Sequence, residues 1–240
     1  MDILYIIIPA YNEAGNLASV LREWHAQAAA AGPESRLVLL DDGSTDDTPD
    51  IARELARELG QLRVIRKTNS GHGPTCLRGY SLALEKGADF VFQTDCDGQT
   101  NPEEFPAFWR ARHEADFILG RRTGRDDGLA RKIVTRVLRA LLLLIFQKDA
   151  KDANVPFRLM NSRRLQYFTP LIPEDFFLSN VLLTMLALRA KERIRWIPVS
   201  FRAREQGAGS LNLPKIVRVG MLACLTLLGF RFKRLHIPRD

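Results

Sequence analysis

The sequence has few of the residues that build zinc or disulfide sites. It contains three cysteines, Cys76, Cys96 and Cys224, and four histidines in 240 residues, and no CxxC pair occurs. The four histidines are scattered, so the chain lacks the closely spaced ligand set of a structural zinc site. An odd number of widely spaced cysteines is typical of a reducing compartment, which predicts a cytoplasmic protein.

Long apolar runs are also missing. The longest uncharged apolar run, Val219–Phe230, is well short of the roughly 20 residues that a membrane-spanning helix requires. Met1-Asp2 leads directly into Ile3–Ile8, a stretch too short and too acidic at its start for a signal peptide. We therefore expect a chain that does not cross a membrane and that is either soluble or bound to a membrane surface.

The sequence has fewer acidic than basic residues. Thirty-five Lys and Arg residues against 28 Asp and Glu residues give a net charge of +7, which favours an anionic partner: nucleic acid, anionic lipid or a phosphate-bearing substrate. The surplus lies mainly in Arg121–Arg139 and Lys215–Arg239. No nucleic-acid-binding module and no interleaving of aromatic and basic residues is present, so we expect no nucleic-acid partner. A non-catalytic polyanion or membrane binder is a remote alternative.

Short apolar runs alternate with helix-forming segments. Strands are predicted at Ile3–Ile8, Arg36–Leu40, Leu62–Arg66, Phe90–Gln93 and Asp116–Leu119, with helices over 13–30, 44–59, 75–86 and 101–113. The second helix prediction rests on the capping-box spacing of Ser44 and Asp47, and the fourth on Asn101-Pro102 as cap and first residue. This alternation predicts an α/β fold with a mostly parallel sheet and helices on both faces.

The second half is more basic and more apolar. We predict an irregular stretch at Asp152–Met160, a strand at Ile194–Phe201, and helices over 129–146, 174–191 and 213–235. The basic helix 129–146 is either a core helix with a solvated face or an interfacial helix that holds phosphate headgroups. The last helix is amphipathic, and it either lies on an anionic membrane or packs on the domain. Residues 1–211 are predicted to form the main domain, followed by this helix in 212–240.

Two carboxylates follow the strand Phe90–Gln93 directly. Because alternate residues of an extended segment face one side, Asp95, Asp97 and Gln99 can converge on a hard cation such as Mg²⁺ or Mn²⁺. Such a cation is what a diphosphate leaving group needs. A solvated acidic turn is the other interpretation. Asp41 and Asp42 are likewise either ordinary turn residues or ligands of a nucleotide, and Gly71-x-Gly73 is a weak signal for a phosphate-binding loop.

Taken together, these clusters resemble glycosyltransferase family 2, and within it the polyprenyl- (dolichol-) phosphate sugar synthases. The resemblance covers roughly residues 3–215. It rests on the following segments in this order: Ile8-Pro9-Ala10-Tyr11-Asn12-Glu13, Leu40-Asp41-Asp42-Gly43-Ser44-Thr45-Asp46, Asn69-Ser70-Gly71-His72-Gly73, Thr94-Asp95-Cys96-Asp97-Gly98-Gln99, Gly120-Arg121-Arg122, Asp152 with Pro156-Phe157-Arg158, and Arg204-x-x-Gly207 followed by Ser210.

The resemblance implies a GT-A fold, a Rossmann-like architecture, and inverting transfer from a nucleotide-diphosphate sugar, GDP-mannose or a UDP-sugar, to a polyprenyl phosphate at the cytoplasmic face of a membrane. It implies a Mg²⁺ or Mn²⁺ ion held by Asp95, Asp97 and Gln99. The residues implied to bind the nucleotide-sugar are Pro9, Tyr11, Glu13, Asp41, Asp42, Gly71, Asp95 and Ser210. Those implied to grip the acceptor phosphate are Arg122, Arg131 and Thr135. The implied catalytic set is Asp97, Arg122, Arg131 and Arg204.

The charges explain this chemistry. An acceptor phosphate is already an anionic nucleophile, so the site has to offset repulsion between phosphate groups rather than supply a strong base; arginines and the cation do this. The alternative is a soluble family 2 transferase with a hydroxyl acceptor on a saccharide or protein, for which Asp152 or Asp175 would be the base. The chain departs from the family pattern at Pro156, in a closing loop one residue longer, and at Ser179-Asn180, where a glutamate is common.

Overall fold

A computed structural model describes residues 2–123, 129–202, 225–231 and 237–238, without the side chains of 129–136 and 138. The strands are β1 (Leu4–Ala10), β2 (Arg36–Asp41), β3 (Leu62–Arg66), β4 (Phe90–Gln93), β5 (Phe117–Arg122), β6 (Arg158–Asn161) and β7 (Ile194–Val199). The helices are α1 (Ala14–Ala31), α2 (Thr48–Glu58), α3 (His72–Glu85), α4 (Phe105–Arg110), α5 (Leu129–Phe146), α6 (Ser162–Phe168) and α7 (Ser179–Ala190), with 3₁₀ turns at Pro102–Glu104 and Thr169–Leu171.

These strands form one seven-stranded sheet in the order β3-β2-β1-β4-β6-β5-β7. All the neighbouring pairs are parallel except those of β6, which runs antiparallel to β4 and β5. The predicted α/β fold with a mostly parallel sheet is therefore confirmed.

Helices cover the sheet on both faces. The central strands β1, β2 and β4 are buried almost throughout, as expected of parallel strands that contact helices on each side. Helix α1 packs with α2 and α4, whereas α3 packs with α6 and α7, and α5 contacts α7. With a layer of helices on each face, the turns after the parallel strands lie at one open edge of the sheet.

An aromatic cluster fixes α1 and α4 against the middle of the sheet. The ring of Phe92 on β4 lies 5.2 Å from that of Trp24 and 4.8 Å from those of Phe105 and Phe157, measured between centroids. The contacts with Phe105 and Phe157 are edge-to-face, a geometry worth about 0.5–1.5 kcal/mol per pair beyond burial. The aromatic cluster thus packs β4, the strand that leads into the acidic turn, against α1 and α4.

Several predicted boundaries are wrong; α3 begins at His72 rather than at Thr75, and β5 continues to Arg122. The side chain of Asn101 does accept the N–H of Glu103, so the cap is confirmed, but a 3₁₀ turn follows and α4 ends at Arg110. Helix α7 begins at Ser179 rather than at Glu174. The stretch 152–160 is not wholly irregular, because β6 begins at Arg158. Its partners β4 and β5 are distant in sequence, and a buried arginine hides the apolar pattern of so short a strand.

The C-terminal helix is described only in part. Residues 225–231 are helical, and the remainder of the predicted helix 213–235 lies outside the described residues. Among the residues that the structure describes, no helix is long and apolar enough to span a membrane.

Helix α3 approaches β1 and β2 so closely that only glycine fits at position 79. A Cβ there would lie 2.3 Å from Ile7 Cγ2 and 3.0 Å from Leu40 Cδ1. Gly79→Ala should lower the free energy of unfolding by about 1–3 kcal/mol, since this overlap outweighs the helix propensity of alanine. Gly60→Ala is the control, because a Cβ at position 60 meets nothing within 4 Å. Denaturant unfolding that gives equal midpoints for the two variants would contradict this packing.

Candidate active site

The site lies where β1, β2 and β4 end side by side. Ala10 pairs with Asp41 at the ends of β1 and β2, and Gln93 at the end of β4 pairs with Ile7. The three parallel strands thus end at one edge of the sheet, where open α/β sheets bind ligands. The turns that follow surround an open pocket of about 400 Å³. The described residues that line it are Pro9, Ala10, Tyr11, Glu13, Asp42, Asn69, Gly71, His72, Thr75, Asp95, Cys96 and Asp97.

Side chains of the turn after β2 hold the turn after β1. The Ser44 hydroxyl accepts the N–H of Asn12 at 2.9 Å, Thr48 Oγ1 accepts that of Glu13 at 2.9 Å, and Asp46 accepts that of Ala14 at 3.2 Å. The predicted capping box at Ser44 is therefore wrong, and α2 begins at Thr48. The Ser44 side chain caps a neighbouring turn rather than its own helix, and Glu13 is thereby fixed beside the pocket.

Asp42 organises the third turn of the pocket. Its carboxylate, only 3% exposed, accepts the N–H groups of Ser70 at 2.9 Å and Gly71 at 2.8 Å and pairs with Lys67. The turn can approach because residue 43 is glycine: its φ is +74°, and a Cβ there would lie 2.9 Å from the backbone nitrogen of Asn69. Asp42 thus lines the pocket and also shapes the loop that contains Gly71.

Asp41 is buried behind the pocket lining. Its Oδ1 accepts the N–H of Ser44 at 2.9 Å, and Oδ2 lies 3.2 Å from Arg66 Nε. Of the predicted nucleotide-sugar ligands, Pro9, Tyr11, Glu13, Asp42, Gly71 and Asp95 are brought together in the pocket. Ser210 lies outside the described residues. The binding roles of these residues stay predictions.

Asp95 and Asp97 both face the pocket, as their alternate spacing predicts. Asp95 Oδ1 lies 2.9 Å from His72 Nε2 and 3.2 Å from Gln93 Nε2, and Asp97 Oδ1 accepts the N–H of Gln99 at 3.1 Å. Burial raises the pKa of the Cys96 thiol well above its usual value, and the negative charges of Glu13, Asp97 and Asp95 raise it further. The sulfur therefore stays protonated in an acidic pocket.

The sequence reasoning missed His72 as a site residue, although the residue stands in the Asn69–Gly73 motif. The neighbouring Cys76 and then Asp95 raise the pKa of the half-exposed His72 imidazole above its usual value. His72 is the first residue of α3, so the imidazole connects that helix to the turn after β4. Its position directly after Gly71, in a polar loop that follows a strand, was the available signal. Thr75 and Lys67 had no such signal.

Gly73 has a packing role rather than a place on the pocket. A Cβ at position 73 would lie 2.4 Å from the carbonyl oxygen of Phe176 and 2.5 Å from that of Phe177. Gly71, in contrast, has a φ of +94° and open space where a Cβ would stand. Of the two glycines in the Gly71-x-Gly73 pattern, Gly71 alone lines the pocket.

Gln99 is directed away from the residues that line the pocket. Its side-chain Nε2 donates to the carbonyl oxygen of Arg202 at 3.2 Å, and the N–H of Arg202 donates to the Gln99 carbonyl at 2.8 Å. A β-bridge between Thr100 and Phe201 adjoins this pair. The turn after β4 is thus fastened to the segment that follows β7, and the metal-binding role of Gln99 stays a prediction.

On the predicted acceptor side, Arg122 forms a two-point ion pair with Asp152. Nε lies 2.6 Å from Oδ2 and Nη2 lies 2.7 Å from Oδ1, and the two side chains are 11% and 10% exposed. Asp175 is exposed and is not among the residues that line the pocket. Arg131 and Thr135 belong to α5, but their side chains, like Arg204, are outside the described part of the chain.

The pocket fits a divalent cation bound together with a diphosphate. Its described lining contains four carboxylates, those of Glu13, Asp42, Asp95 and Asp97, and neither lysine nor arginine. No group of three or more metal-ligating side chains is found within the described ranges. Mg²⁺ is usually held by one or two carboxylates together with substrate phosphates, rather than by a complete protein cage. Asp95 and Asp97 are such a pair.

The chain belongs to glycosyltransferase family 2. The profile described as "Glycosyl transferase family 2" matches residues 5–169, the part that contains every turn of the pocket. The fold is the GT-A arrangement expected of that family, and the chain is a glycosyltransferase.

Two curated relatives are both named as transferases that act on undecaprenyl phosphate. Over 226 residues the chain is 28% identical to an undecaprenyl-phosphate 4-deoxy-4-formamido-L-arabinose transferase of Edwardsiella ictaluri, covering 92% of this chain and 67% of that protein. It is 27% identical to an undecaprenyl-phosphate mannosyltransferase of Micrococcus luteus over 213 residues, covering 86% of each. The resemblance to polyprenyl-phosphate sugar synthases is therefore confirmed.

Solved structures share the fold at low identity. A glucosyl-3-phosphoglycerate synthase of Mycobacterium tuberculosis, in complex with Mn²⁺, uridine diphosphate and phosphoglyceric acid, superposes with a TM-score of 0.70 at 18% identity, covering 100% of this chain and 80% of that one. TarS of S. aureus, residues 1–349, gives a TM-score of 0.63 at 19% identity, covering 98% and 67%.

The Arg122–Asp152 pair should be strongly coupled, because removing one partner leaves a mostly buried charge uncompensated. Asp152→Ala should lower the free energy of unfolding by up to about 3–5 kcal/mol, whereas the double change Arg122→Met with Asp152→Leu should cost much less. Asp50→Ala, which breaks the exposed pair with Arg53, is the control and should change stability by less than about 1 kcal/mol. A double variant that is as strongly destabilised as Asp152→Ala would show that the pair is not coupled.

Proposed function

We propose that this glycosyltransferase is metal-dependent and inverting, and that it moves a sugar from a nucleotide-diphosphate donor to a polyprenyl phosphate at the cytoplasmic face of a membrane. The observation that supports this most is the gathering of Asp95 and Asp97 with the turns after β1 and β2 around one pocket. The names of the two curated relatives, both undecaprenyl-phosphate transferases, support the acceptor class.

The charge of the pocket supports a metal-dependent donor site. A diphosphate would be repelled by Glu13, Asp95 and Asp97, and the described lining contains neither lysine nor arginine. A Mg²⁺ or Mn²⁺ ion held by Asp95 and Asp97 would supply the missing positive charge and stabilise the nucleoside diphosphate as it leaves. Tyr11, 47% exposed, offers an aromatic face to the nucleotide. The Gly71 loop forms the opposite side of the cleft.

On the proposed acceptor side, the N–H groups of the Arg122 guanidinium are held in one direction. Asp152 fixes the guanidinium of Arg122, and Arg131, Thr135 and Arg204 complete the proposed set that counters phosphate–phosphate repulsion. In-line attack by an already ionised phosphate inverts the anomeric carbon without a strong base. A hydroxyl acceptor would require such a base. Asp152 is engaged with Arg122 and Asp175 lies outside the pocket lining, so neither observation favours that alternative.

Exposed apolar side chains support peripheral contact with a membrane. Five of the six large apolar side chains exposed among the described residues lie on α5 and on the helical residues 225–231: Val137, Leu143, Leu144, Leu225 and Leu228. The two segments adjoin, since Arg231 Nη1 donates to the carbonyl oxygen of Leu144 at 3.2 Å. We name this group of five the apolar patch. An apolar surface beside basic residues is typical of interfacial binding to anionic lipid.

Donor turnover tests the proposed reaction. Release of nucleoside diphosphate should be compared for GDP-mannose, UDP-glucose and UDP-GlcNAc with Mn²⁺ or Mg²⁺, in the presence and absence of a short polyprenyl phosphate. We expect release that depends on the lipid phosphate and falls roughly 100-fold or more in Asp97→Ala. Asp50→Ala, an exposed carboxylate on α2, is the matched control. Release that ignores the lipid phosphate but responds to a hydroxyl acceptor would overturn the acceptor assignment.

Vesicle flotation tests the membrane contact. Binding to phosphatidylglycerol-containing vesicles should weaken roughly 10-fold in Leu144→Asp and again in Leu225→Asp, because each change removes a large apolar contact and adds a like charge to the anionic surface. Ala29→Asp makes the same charge change on an exposed position of α1, in the other helical layer, and should leave binding unchanged. Equal flotation of all four proteins would contradict the role of the apolar patch.

A further inference from the structure

A fully buried polar group lies between α3, β4 and α7. Tyr80, Gln93 and Asn180 are 0%, 0% and 2% exposed. Asn180 Nδ2 donates to Gln93 Oε1 at 2.8 Å, and the Tyr80 hydroxyl lies 2.9 Å from the same oxygen and 2.8 Å from Asn180 Oδ1. Burial raises the pKa of the Tyr80 phenol well above its usual value, so it keeps its proton. Polar groups buried this deeply are costly unless they are hydrogen-bonded.

The hydrogen bonds of this group fix which way the amide of Gln93 points. The inner face of Gln93 meets the Asn180 Nδ2 donor and the Tyr80 hydroxyl, whose single proton lies between Gln93 Oε1 and Asn180 Oδ1, so Gln93 presents its carbonyl oxygen there. The amide nitrogen is thereby turned outward, where it donates to Asp95 Oδ1 at 3.2 Å. The reversed amide would place an oxygen against the Asp95 carboxylate and a nitrogen against the amide nitrogen of Asn180. One orientation is therefore strongly favoured.

Asn180 is in turn held from both sides. Its backbone carbonyl oxygen accepts from Arg158 Nη1 at 3.2 Å and from the Thr184 hydroxyl at 2.8 Å, while the neighbouring Ser179 hydroxyl donates to the backbone carbonyl of Gly73 at 3.1 Å. Arg158 is 0% exposed and also donates to the carbonyl oxygens of Ala153 and Val155. The start of α7 is thus anchored in the interior, and the side chain of Asn180 has little freedom.

The outward N–H of Gln93 acts on a single oxygen of Asp95. His72 Nε2 contacts the same oxygen, Oδ1, at 2.9 Å. Within the described part of the chain both hydrogen bonds of Asp95 fall on Oδ1, which leaves Oδ2 for another ligand. Hydrogen bonds that orient a ligating carboxylate and stabilise its charge raise its affinity for a metal ion.

We propose that Gln93 and Asn180 are positioning residues that orient the Asp95 carboxylate for a divalent cation. This rests on the proposed function, in which Asp95 binds Mg²⁺ or Mn²⁺. Asn180 belongs to the Ser179-Asn180 pair, which departs from the family pattern and has no role in the proposed reaction itself. Its role here is that its neutral amide supplies the donor that sets the orientation of Gln93.

Mn²⁺ binding measured directly by electron paramagnetic resonance tests this, with the full-length protein and the metal alone. Gln93→Met removes the N–H donor at nearly constant volume and should weaken Mn²⁺ binding roughly 10-fold or more. Asn180→Asp keeps the shape but replaces the inner N–H donor by an oxygen, which reverses the amide of Gln93 and turns its oxygen towards Asp95. It should weaken binding to a similar degree, with Arg158 nearby to balance the new charge.

Ser35→Ala is the matched control, because it deletes a buried hydroxyl that accepts the N–H of Leu4 at 3.2 Å, at the start of β1 and away from Gln93. It should lower the melting temperature while Mn²⁺ affinity stays within about twofold of wild type. Two folded variants, Gln93→Met and Asn180→Asp, with wild-type Mn²⁺ affinity would overturn the proposal; should the first fail to fold, the second decides alone. Asp95→Asn distinguishes failure of this proposal from failure of the proposed function. If Asp95→Asn leaves Mn²⁺ binding intact, the proposed metal site itself is wrong.

Discussion

The parallel pairing of β1 with β2 and β4 is the constraint on which the site depends. Because Ala10 is opposite Asp41 and Ile7 is opposite Gln93, three turns of unrelated sequence reach the same edge of the sheet. A shift of β1 by one residue would exchange its two faces and would separate Glu13 from the hydroxyls of the β2 turn that hold it. The buried apolar strands therefore set the positions of polar groups that they do not themselves contain.

Negative charge is concentrated in this pocket. Most buried carboxylates in folded proteins have a basic partner, and Asp42 has one in Lys67. The lining as a whole nevertheless contains four carboxylates, with one histidine, His72, and neither lysine nor arginine among the residues described. Folding has brought like charges together at a cost that packing elsewhere offsets, and a bound divalent cation would relieve that repulsion. Under the proposed function, the cation held there would in turn bind the donor diphosphate.

The sequence predicted the parts of the site that are local. Strand-end turns follow from apolar runs that stop at polar residues, and the alternate spacing of Asp95 and Asp97 predicted their common side. What it could not predict depends on contacts between distant segments. Ser44 resembles a helix cap, but its hydroxyl serves Asn12, 32 residues away. The contact of Asn180 with Gln93 spans 87 residues, and β6 is defined only by partners that fold from elsewhere.

The ion pair of Arg122 changes what that residue contributes to the proposed acceptor site. A guanidinium has five N–H donors, of which Asp152 accepts from Nε and Nη2. The pair is close to neutral as a unit, so it offers a phosphate directed hydrogen bonds rather than net attraction. Under the proposed function, positive charge must then come from the cation and from Arg131 and Arg204. Asp152 fixes the angle of the fork, and a lysine at position 122 could reproduce the charge of arginine but not that geometry.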